Sequence, residues 1–139
     1  MSINKDNILR WVEALESGEY QQGFGYLHNR DSNLFCCLGV ACDLAYKDGA
    51  VTKHEVDEDD SWTSPKWAVR YGSPKLSTVL PYEVLNWLGV ASANPYVKYD
   101  HGYIELTVLN DGHECSFAEI AQLIRNEYLT HHDDVEVES

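Results

Sequence analysis

Four cysteines and six histidines carry the most reactive chemistry in this sequence. Cys36, Cys37 and Cys42 lie in the segment CCLGVACDLAY, which is apolar on nearly every face of a helix. A cysteine nucleophile needs a lowered pKa and a histidine beside it, and none of the histidines stands in a recognisable partner motif. Because buried cysteine usually packs as a small apolar side chain, the sequence predicts that these three thiols belong to the core.

A zinc site is the second chemistry that these residue types allow. Cys36 or Cys37 could bind zinc together with Cys42, His113 and Cys115. The spacing of these residues is not that of a zinc finger or ribbon, in which paired ligands lie two to four residues apart. The run HHDD near the C-terminus is better explained as part of a solvated tail. We therefore expect neither a metal nor a cofactor.

Asp43 is the one charged residue in the apolar segment. An unpaired carboxylate is costly to bury, so the sequence predicts that Asp43 is paired, and Arg30 and Arg70 are the candidate partners. The functional alternative is a small hydrolase in which Cys37 or Asp43 acts with a histidine. Structural ion pairs also perturb the pKa of carboxylates, and the structural role is therefore preferred.

An aromatic and basic stretch, WTSPKWAVRYGSPK at residues 62–75, contrasts with the acidic remainder of the chain. Aromatic rings stack on bases, and arginine or lysine pairs with phosphate, so this stretch predicts a site for a nucleotide or another signal molecule. The predicted ligand-binding residues are Trp62, Trp67, Arg70, Tyr71, Lys75, Asn94 and Tyr96. In the alternative interpretation, Trp67, Val69 and Tyr71 close over the core, while the basic residues pair with the acidic run at 57–60.

The formal net charge is −13, from 23 acidic and 10 basic residues, and it limits the partners of the protein. Such a charge repels nucleic-acid phosphates and anionic membranes, so we expect no direct nucleic-acid and no membrane binding. A partner protein with a basic surface suits it better. The first 15 residues predict an amphipathic helix rather than a signal peptide. A cytoplasmic protein with free thiols is therefore expected.

Hydrophobic periodicity and turn signals predict the elements that position these residues. The predicted helices span residues 6–17, 36–46, 81–88 and 117–129. The predicted hairpins pair residues 24–27 with 34–36 and residues 96–99 with 103–106. The fold class is thus α+β, a helix-dominant single domain of three to four helices with one or two small β-hairpins. The domain spans residues 1–130, and an acidic flexible tail spans residues 131–139.

Five segments, in a fixed order, carry a resemblance to other proteins. They are WVEALESGEYQQGFGYL, FCCLGVACDLA, LPYEVLNWLGV, NPYV and LTVLNDGHECSFAEIAQLI. Together they resemble a group of small uncharacterised proteins of tailed bacteriophages and bacterial prophages. The resemblance covers most of the chain, with a variable middle between Lys47 and Leu80. It implies an origin rather than a chemistry, and it carries no functional residue over.

That origin implies an accessory protein that acts by binding in the host cytoplasm. Its partner would be a host protein with a basic surface, such as a host or defence factor that it inhibits, or a small nucleotide signal that it sequesters. A homo-oligomer is compatible with either role. Two alternatives remain open at this point, the cysteine- or aspartate-dependent hydrolase described above and a virion or structural component.

Overall fold

The computed structural model describes residues 3–55, 65–113 and 115–130. Its helices are α1 (Lys5–Ser17), α2 (Cys37–Lys47), α3 (Tyr82–Leu88), α4 (Leu106–Asp111), α5 (Phe117–Ile124) and a π-helix (Arg125–Thr130). Its strands are β1 (Gln21–Gln22), β2 (His28–Asn29), β3 (Leu34–Phe35), β4 (Lys53–His54), β5 (Arg70–Tyr71), β6 (Tyr96–Tyr99) and β7 (Gly102–Glu105). The predicted α+β class is confirmed, and α1 packs against both α2 and α5.

Helix α1 forms where its capping signals and apolar spacing predict a helix. The Asn4 side chain caps the start by accepting a hydrogen bond from the Asn7 N–H at 3.1 Å, which satisfies one of the free donors of the first turn. The helix ends at Gly18, whose φ of +83° is a left-handed conformation that glycine adopts at little cost. The buried face of α1 comprises Ile8, Trp11, Val12 and Leu15.

Helix α2 is the central element of the core, because nearly all of its side chains are buried. Trp11 of α1 donates its indole N–H to the Cys37 carbonyl at 2.9 Å. At Gly39 the helix passes so close to the preceding loop that a Cβ atom would lie 1.6 Å from the Leu27 carbonyl oxygen. Only glycine fits there, so the residue that weakens α2 as an isolated helix is what permits its packing.

The first sheet contains three two-residue strands in the order β1-β3-β2. Strands β2 and β3 form an antiparallel hairpin in which His28 faces Phe35, and β1 pairs with β3 in parallel. The hairpin therefore exists, but its first strand begins later than the predicted residues 24–27. In that stretch the Leu27 N–H donates instead to the Ser77 carbonyl at 2.8 Å.

The sequence predicts a long loop over residues 51–77. The structure contains a second small sheet in this region, in which β4 and β5 are antiparallel. Residues 56–64, which include Trp62 and the acidic run at 57–60, lie outside the described residues. Across the described ranges, no helix is both long and apolar enough for a membrane span.

The third sheet is the predicted second hairpin, in which β6 and β7 pair from Tyr96↔Glu105 to Tyr99↔Gly102. After β7 the chain enters helix α4, whereas the sequence predicts a turn at residues 110–112. This turn signal misleads because Asn110 is fully buried. Its side-chain amide donates to the Gly23 carbonyl at 2.9 Å, and its side-chain oxygen accepts from the Cys37 N–H at 3.2 Å. Among the described residues, α4 is therefore a helix that the sequence does not predict.

The last helical region begins with the predicted capping box. The Ser116 hydroxyl accepts from the Glu119 N–H, and the Glu119 carboxylate accepts from the Ser116 N–H. Helix α5 buries Phe117, Ile120, Ala121 and Ile124, and the π-helix continues the chain to Thr130. The predicted tail at 131–139 lies outside the described residues.

Candidate functional site

A cleft of about 300 Å³ opens beside the central helix α2, and two of the buried polar residues of the described chain, His28 and Asp43, line it. We call it the polar cleft. Its lining comprises Glu19, Tyr20, His28, Asn33, Phe35, Asp43, Lys47 and Lys53. Helix α2, the first sheet and β4 each contribute side chains, so the cleft lies where three elements meet. Its volume is at the lower end of the range for small-molecule sites.

Asp43 forms the floor of the polar cleft and is only 6% exposed. Its carboxylate accepts a hydrogen bond from the Tyr20 hydroxyl, and the Lys47 ammonium lies 3.2 Å away, one turn further along α2. Asp43 is thus paired, as the sequence predicts. The predicted partners Arg30 and Arg70 are wrong, because a lysine at helical spacing and a tyrosine from the loop after α1 reach the carboxylate instead.

The Tyr20 hydroxyl and the Lys47 ammonium are fixed in their protonated forms. Burial, together with the hydrogen bond to Asp43, raises the pKa of Tyr20 to about 12. The hydrogen bond from Lys47 Nζ to Tyr20 Oη, at 3.3 Å, raises the pKa of Lys47. At neutral pH the group therefore consists of a neutral phenol, a carboxylate and an ammonium ion that is 60% exposed at the opening of the cleft.

His28 forms the second buried polar wall of the cleft and is 4% exposed. Burial lowers the pKa of His28, which keeps the ring neutral at pH 7. The Asn33 side-chain oxygen only accepts hydrogen bonds, so the proton of the neutral ring is on Nε2, which donates to that oxygen at 2.9 Å. Nδ1 then accepts from the Tyr71 hydroxyl at 3.3 Å, and burial raises the pKa of Tyr71, which keeps this hydroxyl protonated. Both ring nitrogens are therefore occupied.

Two features fix the wall of the cleft that His28 forms, a ring contact and a backbone conformation. The imidazole stacks on the Phe35 ring, with a centroid distance of 3.9 Å and an angle of 12°. Asn33 has φ +58°, a left-handed conformation that asparagine tolerates better than most residues. This conformation occurs at the residue whose side chain meets Nε2, so the short turn between β2 and β3 contributes a polar wall to the cleft.

Lys53 supplies the second ammonium group of the cleft, opposite α2 on strand β4. Its Nζ lies 3.7 Å from a Glu55 carboxylate oxygen and 5.2 Å from the centroid of the Tyr46 ring. The side chain is 16% exposed. Sequence reasoning identified Asp43 but missed Tyr20, His28 and Lys53, because these residues stand in polar segments without any motif and only the fold brings them together.

The residues that the sequence assigns to a ligand site lie in several different environments. Trp67 lines a separate pocket, where its ring meets Tyr26 edge to face at 4.9 Å. Arg70 is 6% exposed and Tyr71 is fully buried, so Tyr71 closes the core, as the alternative interpretation holds. Lys75 is exposed, and Trp62 lies outside the described residues.

Asn94 and Tyr96 are likewise apart from Trp67. The Asn94 side-chain amide donates to the Thr107 hydroxyl at 2.8 Å, which ties the loop before β6 to α4. Tyr96 is 53% exposed and lines a pocket of about 240 Å³ with Tyr128. The predicted residues Trp67 and Tyr96 thus line two different pockets. Tyr96 belongs to the hairpin β6–β7, whereas Trp67 lies in the segment before β5.

The cysteines lie in the core, as predicted, with Cys37 and Cys42 fully buried and Cys36 only 3% exposed. Burial raises the pKa of Cys36 to about 12 and that of Cys37 and Cys42 well above the ordinary value. Such thiols stay protonated and are poor nucleophiles. Within residues 3–55, 65–113 and 115–130, no group of three or more His, Cys, Asp or Glu side chains is placed to hold a metal ion.

Comparison with known proteins yields one relationship. A family model described as "Domain of unknown function (DUF8296)" matches residues 4–128. No curated protein and no solved structure matches the chain. The match covers α1 through most of the π-helix, and so includes every element that lines the polar cleft.

Proposed function

We propose that this chain, which belongs to the DUF8296 family, acts by binding a small anionic ligand in the polar cleft. The observation that carries the proposal is the position of two ammonium groups, on Lys47 and Lys53, in the lining of one cleft of about 300 Å³. Behind them, the cleft is closed by the buried side chains of Asp43 and His28. Lysine is a common partner of phosphate and carboxylate groups.

The buried groups support this role by fixing the lysine that a ligand meets first. Lys47 Nζ contacts both the Asp43 carboxylate and the Tyr20 hydroxyl, at 3.2 Å and 3.3 Å. These contacts reduce the number of side-chain conformations that binding must restrict, which lowers the entropic cost of capture. The Lys47 side chain nevertheless remains 60% exposed, so its remaining donor capacity is accessible to an anionic group.

Binding is favoured over bond-making because His28 and Asp43, the two buried titratable residues of the lining, each have hydrogen-bond partners. Both nitrogens of His28 have partners, Tyr71 and Asn33. Asp43 is held by Tyr20 and Lys47. A general base needs a free lone pair directed at its substrate, and a hydrolase based on Asp43 and His28 would first have to break these bonds.

The resemblance to bacteriophage and prophage proteins gives this binding a biological setting. We propose an accessory protein of the host cytoplasm that sequesters a small phosphorylated signal. A nucleotide fits the proposal because its phosphates supply the anionic groups that Lys47 and Lys53 would contact.

A thermal-shift panel of linear nucleotides, cyclic nucleotides and inorganic phosphate tests this proposal. A ligand that binds only the native state raises the melting temperature by an amount that grows with the logarithm of 1 + [L]/Kd, so at least one compound is expected to shift the wild type. Lys53→Gln is expected to reduce that shift, whereas Lys98→Gln, a lysine on the β6 strand away from the cleft, is expected to retain it. A panel without any shift, or equal shifts in both variants, contradicts the proposal.

The charge of the chain favours a second candidate, inhibition of a host protein through a basic surface. The exposed arginines are held by carboxylates of the same chain: Arg10 makes two hydrogen bonds to Asp48, and Arg125 makes two to Glu16. Pairing within the chain does not change its net charge, which stays at −13 from 23 acidic and 10 basic residues. Affinity purification from host lysate would then recover a basic protein at low salt and lose it at high salt. Recovery that is independent of salt contradicts this candidate.

A further inference from the structure

A second pocket, of about 250 Å³, is formed largely by aromatic side chains and shares no residue with the polar cleft. We call it the aromatic pocket. Its lining comprises Gly23, Phe24, Tyr26, Asn29, Leu34 and Trp67. Phe24 is 58% exposed, although a phenylalanine ring gains free energy on burial. An exposed phenylalanine beside two further rings is typical of a surface that binds something.

The three rings are held by backbone contacts rather than lying loosely on the surface. The Arg30 N–H donates to the Trp67 carbonyl at 2.7 Å, which fixes the tryptophan segment against the end of β2. The Tyr26 and Trp67 rings meet at 81°, with centroids 4.9 Å apart. The edge of one ring therefore rests against the face of the other, and the pair forms one aromatic wall of the pocket.

The residues before and after Phe24 are each fixed by a backbone hydrogen bond. The Gly23 N–H donates to the Phe35 carbonyl at 2.7 Å, and the Gly25 N–H donates to the Asp111 carboxylate at 3.1 Å. A Cβ atom at Gly23 would lie 2.6 Å from the Leu34 Cβ, so this glycine permits the close approach that forms the floor of the pocket. The pocket is therefore a preformed feature of the fold.

The charges around the aromatic pocket favour a cationic ligand. The six lining residues carry no charge, and the charges beside them include Asp111, which accepts from Gly25, and Asp31, which is 66% exposed. Two cations are also near: Lys66 precedes Trp67 in the chain and is exposed, and Arg30 donates to the Asp31 carboxylate at 3.1 Å and to the Glu55 carbonyl at 3.3 Å. Aromatic faces attract cations through the ring quadrupole, and the net charge of −13 adds a long-range attraction of the same sign.

We propose that the aromatic pocket binds an arginine side chain of a basic partner protein. A planar guanidinium stacks on an aromatic face while its N–H groups remain free for hydrogen bonds, an arrangement that the compact ammonium of lysine does not offer. The side-chain oxygen of Asn29, the polar residue of the lining, already accepts from the Asp31 and Ser32 N–H groups at 3.0 Å and 3.1 Å, so stacking and charge carry the recognition. The proposal goes beyond ligand binding in the polar cleft and does not rest on it.

Titration of the whole protein with a short arginine peptide, acetyl-Gly-Arg-Gly-amide, tests the proposal by NMR. The indole N–H signal of Trp67, identified by its loss in Trp67→Phe, is expected to shift saturably. The peptide with citrulline in place of arginine has the same shape without the charge, and it is expected to bind at least fivefold more weakly. Phe24→Leu, at a largely exposed position where folding is preserved, is expected to weaken arginine binding severalfold, while Tyr96→Leu leaves it unchanged.

Choline, a small quaternary ammonium ion, is titrated in parallel. Three outcomes would overturn the proposal: equal binding of the citrulline and arginine peptides, unchanged arginine binding by Phe24→Leu, or a larger shift of the Trp67 signal with choline than with the arginine peptide. The last result would assign the pocket to a small ammonium ligand instead. The separate thermal-shift panel of nucleotides reports on the polar cleft, so failure of one site is distinguishable from failure of the other.

Discussion

The Tyr20 hydroxyl donates a hydrogen bond to the buried Asp43 carboxylate, from a position 23 residues earlier in the chain. This bond joins the loop after α1 to the central helix α2. It also satisfies a carboxylate that would otherwise depend on a single lysine 3.2 Å away. A buried acceptor that loses a partner costs more free energy than the bond itself contributes.

We therefore expect Tyr20→Phe to lower the free energy of unfolding by about 1–3 kcal/mol, the range for a buried polar group that loses its partner. The variant keeps the ring and its edge-to-face contact with Phe35, so only the hydroxyl is lost. Urea unfolding measures the change. Tyr82→Phe, at a position 65% exposed, is the control and should be neutral. Equal stability of the two variants would show that the bond contributes nothing.

Gly39→Ala tests the close approach of α2 to the preceding loop. Alanine favours a helix over glycine by about 1 kcal/mol, yet here its Cβ would overlap the Leu27 carbonyl oxygen. Because the obstacle is backbone, we expect a net loss of at least about 2 kcal/mol. Gly102→Ala is the matched control, since a Cβ there meets nothing within 4 Å. A stabilised Gly39→Ala protein in the same urea assay would refute this packing.

The stability of the protein should decrease as the pH falls below about 6.5, the ordinary pKa of histidine. Burial lowers the pKa of His28 in the folded state, so between the two pKa values the unfolded chain binds a proton that the folded chain does not. Above that window His28 is neutral in both states and contributes no pH dependence. The loss approaches about 1.4 kcal/mol per pH unit at most for one group.

Urea unfolding at several pH values between 5 and 8 measures this effect as a difference between variants. We expect a shallower pH dependence for His28→Gln, which removes the buried group. His101→Gln is the control, because the side chain of His101 is 99% exposed. If both variants followed the wild-type slope, another group would account for the pH dependence.

The three core thiols should react with a disulfide reagent much more slowly in the folded protein than after unfolding. Cys36, Cys37 and Cys42 are buried, and burial raises the pKa of each. Thiolate is the reactive form, so all three are expected to react at least tenfold more slowly in buffer than in urea, while Cys115, which is 8% exposed, is modified first. Rapid modification of Cys37 in buffer, identified by peptide mapping, would contradict its placement in the core.

Local signals in the sequence predict most of the helices correctly. The caps at Asn4, Gly18 and Ser116 act within one turn of the chain, and the apolar stripe of α1 needs only the helical period. Helix α4 is the exception. There the local turn signal of residues 110–112 is overridden by the burial of Asn110, which bonds to Gly23 and Cys37, both more than 70 residues away.

The sequence by itself determined the fold class, the buried cysteines and the paired state of Asp43. Apolar periodicity and capping residues are local patterns of the chain, and the cost of burying a lone charge follows from the residue type. Only the tertiary structure decided which side chains share a site. It brought His28 to Tyr71, 43 residues apart, and placed Trp67 and Tyr96 in separate pockets. Contacts across such separations depend on how the elements pack, and neither residue type nor spacing encodes that packing locally.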